Sequence, residues 1–161
     1  MLDQDQEMYS HAPERYSCPF CAYVRGESDH RVGPEHVVER TSATLTYVSP
    51  KWWPNNSGAL LVIPVDHLEN LYAVPDALGG PMQRATRRAG LALKAAYGCD
   101  GVSTRQHNEP AGNQDVWHYH VHVFPRYTND GLYGSRGAWA GREKMTHRAD
   151  LLRAAYSQLD D

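Results

Sequence analysis

The chain has 161 residues, a length that suits one domain with a single buried core. Hydrophobic residues make up 41% of it and charged residues 22%, as in ordinary globular proteins, and 16 basic against 19 acidic side chains leave a formal net charge of -3. This balance excludes the basic surface with which proteins bind nucleic acid or anionic membranes, so neither partner is expected.

Residues 1–16 are polar and include Asp3, Asp5 and Glu7. They lack the basic start and apolar run of a signal peptide, and no stretch of the chain approaches the roughly 18 apolar residues of a membrane span. We therefore expect a cytoplasmic protein without a membrane segment, in which residues 1–16 form a flexible lead-in and residues 17–161 a single domain.

Five stretches of the sequence predict β-strands, because they are β-branched, aromatic or continuously apolar. In chain order they are Val37–Val38, Thr44–Val48, Ala59–Ile63, Gly101–Arg105 and Val116–Phe124.

Two stretches predict helices. The first runs from Pro81 to Tyr97, with proline at its first position and Gly98 directly after its end. The second covers about Arg148–Leu159 and places Leu151, Leu152, Ala155 and Leu159 on one face. Strands gathered around one principal helix predict an α+β domain with an antiparallel sheet.

Three histidines alternate within the last predicted strand, at His118, His120 and His122. Alternate residues of a strand share a face, so these side chains are expected on one side of the sheet. Strand geometry separates neighbouring members by about 6.6 Å and the outer pair by about 13 Å, too far for all three to bind one zinc ion at about 2.1 Å. We therefore expect different roles for them. Neutral imidazole is a good nucleophile towards phosphorus near pH 7.

The chain contains three cysteines, of which Cys18 and Cys21 have the spacing Cys-x-x-Cys. In a chain that is not secreted, this spacing favours metal binding or redox chemistry over a structural disulfide. No thioredoxin-like βαβ pattern surrounds the pair, which disfavours the redox alternative. Cys99 is interpreted as a small buried hydrophobic residue.

The histidine stretch resembles the motif of the histidine triad superfamily, His-x-His-x-His followed by two apolar residues. The likeness extends over roughly residues 18–134. The apolar run, proline and His-x-Glu-Asn of Leu60–Leu71 resemble a family segment, Asn108–Gln114 resembles the loop before the triad, and Cys18-x-x-Cys21 resembles the zinc half-site of one branch.

This resemblance implies an antiparallel meander with one long helix packed on it, commonly as a homodimer. It also implies that His120 attacks the α-phosphorus of a nucleotide and that His122 binds phosphate oxygens or helps the leaving group to depart. Asn108, Gly112 and Gln114 would contact phosphate. A structural zinc ion would be bound by a set of four ligands, namely Cys18, Cys21, His67 and His118.

The activity that the resemblance implies is a hydrolase for a nucleoside phosphoramidate or a dinucleoside polyphosphate, acting through a nucleotidyl-His120 intermediate. Three alternatives stay open: a nucleotidyltransferase or phosphorylase, a zinc-stabilised nucleotide-binding module with little turnover, and a hydrolase with a catalytic metal on the triad.

The chain departs from the family at several positions. Ala59 replaces a supporting histidine, Asp115 stands where relatives often have Ser or Thr, and Tyr47 stands where several have a ribose-binding Asp. The loop before the triad leaves Asn113 and Gln114 as alternative phosphate contacts. The adjacent Trp52 and Trp53 either stack on a base or pack within the protein.

Overall fold

Seven strands and three α-helices form the part of the chain, residues 9–159, that the computed structural model describes. In chain order they are α1 (Pro19–Val24), β1 (Val37–Arg40), β2 (Thr44–Val48), β3 (Lys51–Trp52), β4 (Leu60–Pro64), α2 (Asp76–Tyr97), β5 (Gly101–Gln106), β6 (Val121–Arg126), β7 (Ala138–Trp139) and α3 (Arg142–Ser157). Short 3-10 helices lie at Pro34–His36, Leu71–Ala73, Pro110–Gly112 and Leu132–Gly134.

The main sheet has five strands in the order β1-β2-β4-β6-β5, and every neighbouring pair is antiparallel. Strands β2 and β4 are buried along their whole length, as continuous apolar or β-branched runs in the middle of a sheet should be. Helix α2 packs on β4 and β6, and α3 packs on α2 and β1. Strands β3 and β7 form a separate two-stranded ribbon. The predicted α+β class, with an antiparallel sheet and one long helix, is confirmed.

The first helix prediction was wrong at its start. Helix α2 begins at Asp76, and Pro81 lies inside it rather than at its first position. A proline this close to a helix start forfeits one backbone hydrogen bond, to the carbonyl of Ala77, so a helix already begun can pass through it. The predicted end is confirmed, because Gly98 caps the helix in the left-handed conformation with φ +61°.

The last helix begins at Arg142, six residues before the predicted start at Arg148. Its buried face includes Met145 and Tyr156, whereas Leu151 is exposed. The prediction missed the first turns because they carry mostly polar side chains, which the apolar spacing does not detect.

The predicted histidine strand is only partly a strand. Strand β6 begins at Val121, so of the triad only His122 lies within it. Residues 116–120 leave the ladder with β4 because their hydrogen bonds go elsewhere. The backbone N–H of Tyr119 donates to the carbonyl of Leu68, and the His118 ring donates to the carbonyl of Pro64, the last residue of β4. The expectation that all three histidines share one face of a single strand was therefore wrong.

The segment before α1 contacts the loops around the histidines. The backbone N–H of His11 donates to a carboxylate oxygen of Glu69 at 2.6 Å, and the backbone N–H of Trp117 donates to the Tyr16 hydroxyl at 3.2 Å. Residues 1–8 lie outside the described part of the chain. The division into a flexible lead-in and a single domain stays a prediction. Among residues 9–159, no helix combines the length and the apolar character needed to cross a membrane.

Candidate active site and metal centre

Two cysteines and two histidines meet where α1 approaches the segment before β6. One donor atom from each of four residues lies within 4.8 Å of the other three; the residues are Cys18, Cys21, His67 and His118. Cys18 stands at the start of α1, where its sulfur accepts the backbone N–H of Cys21 at 3.4 Å. The structure thus brings together the complete set of four that the resemblance implied.

The spacing of these donors suits a tetrahedral ion. In a tetrahedral zinc site, bonds of about 2.3 Å to sulfur and about 2.05 Å to nitrogen place neighbouring ligand atoms about 3.5 Å apart. Here Nδ1 of His118 lies 3.4 Å from Sγ of Cys18 and 3.6 Å from Sγ of Cys21, and Nδ1 of His67 lies 3.3 Å from Sγ of Cys21. The residues therefore fit a Cys₂His₂ zinc site.

The protonation of the set agrees with this fit. Nε2–H of His118 donates to the carbonyl of Pro64 at 3.1 Å, so the unprotonated Nδ1 faces the sulfurs. Burial lowers the pKa of His118 to about 4. Burial and the neighbouring Cys18 raise the pKa of Cys21 to about 11, so a bound cation would displace a thiol proton.

His120 is nearly enclosed, with 2% of its surface exposed. Its Nδ1–H donates to the backbone carbonyl of His118 at 2.7 Å, which leaves the lone pair on Nε2. Burial lowers the pKa of His120 and favours its neutral form. The Phe20 ring packs edge-on against the imidazole, with ring centroids 5.2 Å apart. His120 thus keeps an unprotonated Nε2, which lies 4.0 Å from Oδ1 of Asp115.

His122 adjoins His120, with ring centroids 5.0 Å apart. Its ring stacks on Phe124 at 5.7 Å, and its buried Nδ1 has no hydrogen-bond partner among the described residues. Burial, followed by the neighbouring His120 and His107 and then by Arg105 and Lys51, lowers the pKa of His122 to about 3. This ring is therefore neutral at physiological pH.

The loop before the triad uses most of its amide groups internally. Oδ1 of Asn108 accepts the backbone N–H of Leu71 at 2.7 Å. The buried Gln114 donates both amide hydrogens to backbone carbonyls, at 2.6 Å and 3.0 Å, and its oxygen accepts the N–H of Glu109. Asn113 instead lines a cavity, in the left-handed conformation with φ +67°. Of the two alternatives, Asn113 therefore borders the cavity, whereas the Gln114 amide is used within the protein.

Gly112 contributes its backbone to the same loop. Its carbonyl accepts Nδ1–H of His107 at 2.7 Å, and a Cβ added at this glycine would meet no atom within 4 Å. The space beside the loop is therefore open, as a phosphate contact requires. The phosphate-binding roles of Asn108, Gly112 and Gln114 stay predictions.

The departures from the family pattern have structural counterparts. Tyr47 is fully buried between the rings of Phe20 and Tyr23, and its hydroxyl has no partner among residues 9–159. Its side chain is therefore not available to a ribose. Ala59 is also fully buried, and Phe124 packs beside it. Asp115 keeps 73% of its side chain exposed, with Oδ1 4.0 Å from Nε2 of His120.

A cavity of about 240 Å³ opens beside His122. Its wall combines two cations with rings and amides and consists of Lys51, Trp53, Arg105, His107, Asn113, Asp115, His122 and Phe124. Trp53 thus borders this cavity, whereas the Trp52 indole donates to the carbonyl of Ser49 within the protein.

Lys51, Arg105 and His107 were missed by the sequence analysis. One signal was available for two of them, because Arg105 and His107 alternate along and just past β5, and Arg105 pairs with His122 across the sheet. No local pattern marks Lys51.

Comparison with known proteins agrees with this geometry. The family model of the HIT domain matches residues 33–129. A HIT-like protein of Methanocaldococcus jannaschii is 31% identical over 71% of this chain and 82% of its own length. Adenylylsulfatase HINT3 of Arabidopsis thaliana is 28% identical over 84% of this chain and 65% of its own.

Among solved structures, a Zn-bound histidine triad family protein from Mycobacterium smegmatis superimposes with a TM-score of 0.74. It is 30% identical and covers 89% of this chain and 96% of its own. The family model alone spans more than half of the sequence. The chain therefore belongs to the histidine triad family.

Proposed function

We propose that this protein hydrolyses a nucleotide at its α-phosphorus through a covalent nucleotidyl-His120 intermediate. The substrate class is a nucleoside phosphoramidate or a compound with a phosphorus–oxygen bond at the same place, such as a dinucleoside polyphosphate. Membership of the histidine triad family supports the general class of nucleotide hydrolases and transferases. Adenylylsulfatase HINT3, by its name, acts on an adenylyl sulfate, which is a nucleotide of this kind.

The tautomer of His120 is the observation that carries the proposal. Because Nδ1–H is committed to the His118 carbonyl at 2.7 Å, the lone pair of Nε2 is free to attack phosphorus. Attack gives the ring a positive charge, since Nδ1 keeps its proton. The carbonyl oxygen of His118 already faces that proton and stabilises the charge.

The proposed reaction consists of two displacements at phosphorus. In the first, the bond between Nε2 of His120 and phosphorus forms, the bond to the leaving group breaks, and the leaving group takes the electron pair; an amine leaving group also takes up a proton from water. In the second, water attacks the same phosphorus and gives a proton to the solvent, the bond between phosphorus and Nε2 breaks with its electron pair returning to His120, and a nucleoside monophosphate leaves. His122, 5.0 Å from His120 between ring centroids, is in reach of the phosphate oxygens in both steps.

We also propose that zinc occupies the Cys18, Cys21, His67 and His118 set and has a structural role. When bound, zinc supplies a fixed link between α1 and the segment that carries the nucleophile. The fit of the donor distances and the Zn-bound relative from Mycobacterium smegmatis support this assignment. A cytoplasmic location and a homodimer are further proposals, the second resting on the family resemblance alone.

Intact mass spectrometry after mixing the protein with a nucleoside phosphoramidate tests the mechanism. We expect an added mass of one nucleotidyl group in the wild type and none in His120→Asn. His147→Asn, which changes an exposed histidine of α3, is the matched control and should keep the adduct. A well-folded His120→Asn protein with substantial turnover would refute the mechanism.

Two alternatives have distinguishable outcomes in the same experiment. A nucleotidyltransferase forms the adduct but yields a nucleoside diphosphate when inorganic phosphate is added. A binding module with little turnover binds nucleotide without an adduct, and the carboxylate of Asp115 near Nε2 of His120 is the feature that favours it.

A further inference from the structure

We propose that the cavity beside His122 is the leaving-group subsite and that Lys51 and Arg105 select an anionic leaving group, either sulfate or a phosphate. This inference rests on the proposed function and names the substrate class of the same site. His122 lines the cavity and adjoins His120, so the cavity is the space next to a phosphorus attached to His120.

Arg105 is held in a position suited to binding an anion. Its guanidinium lies over the rings of Phe124 and Tyr133, at 4.9 Å and 4.6 Å from their centroids. Rings that pack on the flat faces of a guanidinium leave its N–H edge for a partner. The buried Nη2 of Arg105 has no hydrogen-bond partner within residues 9–159. A buried donor of this kind is costly unless a ligand satisfies it.

Lys51 supplies a second positive charge to the same space. Its ammonium lies over the rings of Trp53 and Trp139, at 6.0 Å and 5.9 Å from their centroids. The pairing of Lys51 with Trp139 across the small sheet fixes its backbone. Asp115 also borders the cavity, but its side chain is mostly exposed, and the two fixed cations outnumber it. The balance favours an anion.

The size of the cavity and the state of His122 agree with a small anion. A volume of about 240 Å³ lies below the range of about 300–1,000 Å³ typical of pockets for drug-sized ligands, so a sulfate or phosphate fits it better than a second nucleoside. Burial holds His122 neutral, with its pKa lowered to about 3, and a neutral ring is a weak proton donor. A leaving group that departs as an anion, with the electron pair of the broken phosphorus–oxygen bond, needs no proton from it.

Substrate comparison in charge-removing variants tests the proposal. We measure kcat/KM of the wild type, Arg105→Gln and Lys51→Gln for adenylyl sulfate, a nucleoside diphosphate, a dinucleoside triphosphate and an unsubstituted nucleoside phosphoramidate, whose amine leaving group carries no negative charge. Arg105→Gln should lower kcat/KM for the anionic leaving groups about ten- to hundredfold and change the phosphoramidate value less than about threefold. Arg87→Gln, on the exposed surface of α2, is the control.

The arms separate the possible outcomes. The anionic substrate with the highest wild-type kcat/KM identifies sulfate or phosphate as the preferred group. If kcat/KM falls equally for all substrates, or does not fall in Arg105→Gln and Lys51→Gln, the subsite proposal is overturned while the hydrolase proposal stands. If the wild type turns over none of the four substrates, the proposed function fails. The subsite proposal is then tested separately, by measuring the binding of inorganic sulfate and phosphate. Binding that is weakened about tenfold by Arg105→Gln supports it, and absence of binding to the wild type overturns it.

Discussion

The position of Asp115 leads to a quantitative prediction, because its carboxylate lies next to the proposed binding site of an anionic substrate. Its Oδ1 lies 4.0 Å from Nε2 of His120. A phosphorus ready for attack sits about 3–3.5 Å from the nucleophile. With the directions from Nε2 to phosphorus and to Oδ1 taken as roughly perpendicular, the phosphoryl group is about 5 Å from the carboxylate. Two like charges at about 5 Å repel by about 0.8 kcal/mol in water and by about 3 kcal/mol at an effective dielectric constant of 20.

The exposure of Asp115 selects the lower of these values. With 73% of its side chain in solvent, the carboxylate is well screened. Asp115→Asn should therefore raise kcat/KM for an anionic nucleotide about fourfold, and Asp115→Ser should do the same, because each removes about 0.8 kcal/mol of repulsion. The gain should shrink as the salt concentration rises from about 0.02 M to about 0.5 M.

Steady-state kinetics at neutral pH with adenylyl sulfate and a nucleoside phosphoramidate measure this effect. Asp150→Asn is the charge-matched control, since it removes an exposed carboxylate on α3 that pairs only with the partly exposed Arg153 in the described structure. A fall in kcat/KM in Asp115→Asn that persists at high salt would refute the repulsion argument and assign Asp115 a part in proton transfer or in positioning His120.

Three further predictions concern the metal, His122 and stability. Cys21→Ser should lose about one zinc per chain and unfold at a lower temperature, whereas Cys99→Ala should keep the metal; metal analysis and thermal unfolding decide. His122→Asn should lower kcat about a hundredfold and spare the adduct that mass spectrometry detects, and unchanged kcat would contradict its role. Burial lowers the pKa of His36, so its stabilising neutral form is fully present above about pH 6.5 and is lost as the pH falls through the folded pKa. Urea unfolding at about pH 7.5 and about pH 5.5 should show a smaller loss of stability in His36→Gln than in the wild type.

The sequence predicted the central sheet well because its strands are locally marked. Thr44–Val48 is a strand with the predicted bounds, and Leu60–Pro64 differs from the predicted run by one residue at each end. Gly98 marks the end of α2 for a purely local reason, its left-handed backbone. Elements whose conformation is determined by their own local sequence are therefore predictable.

Features that depend on distant partners were not predictable in this way. The break at His120 arises because the Tyr119 N–H finds the carbonyl of Leu68, a contact between segments about fifty residues apart. Lys51 reaches the cavity on β3, a strand that pairs with β7, far along the chain. The proposed zinc ligands come from three separate segments, and only the likeness to a known family indicated that they meet. Spacing along the chain contains no such information.

His118 contributes to both the proposed zinc site and the proposed active site, and this affects how inhibition by a chelator is interpreted. Its ring faces the cysteine sulfurs, while its backbone carbonyl, 2.7 Å from Nδ1 of His120, fixes the tautomer of the proposed nucleophile. If zinc occupies the proposed site, its removal by a chelator would release the His118 ring, let the carbonyl shift and so disorient His120. Loss of activity on chelation would thus be explained by structural coupling between the two sites. It would not by itself identify a metal-activated water.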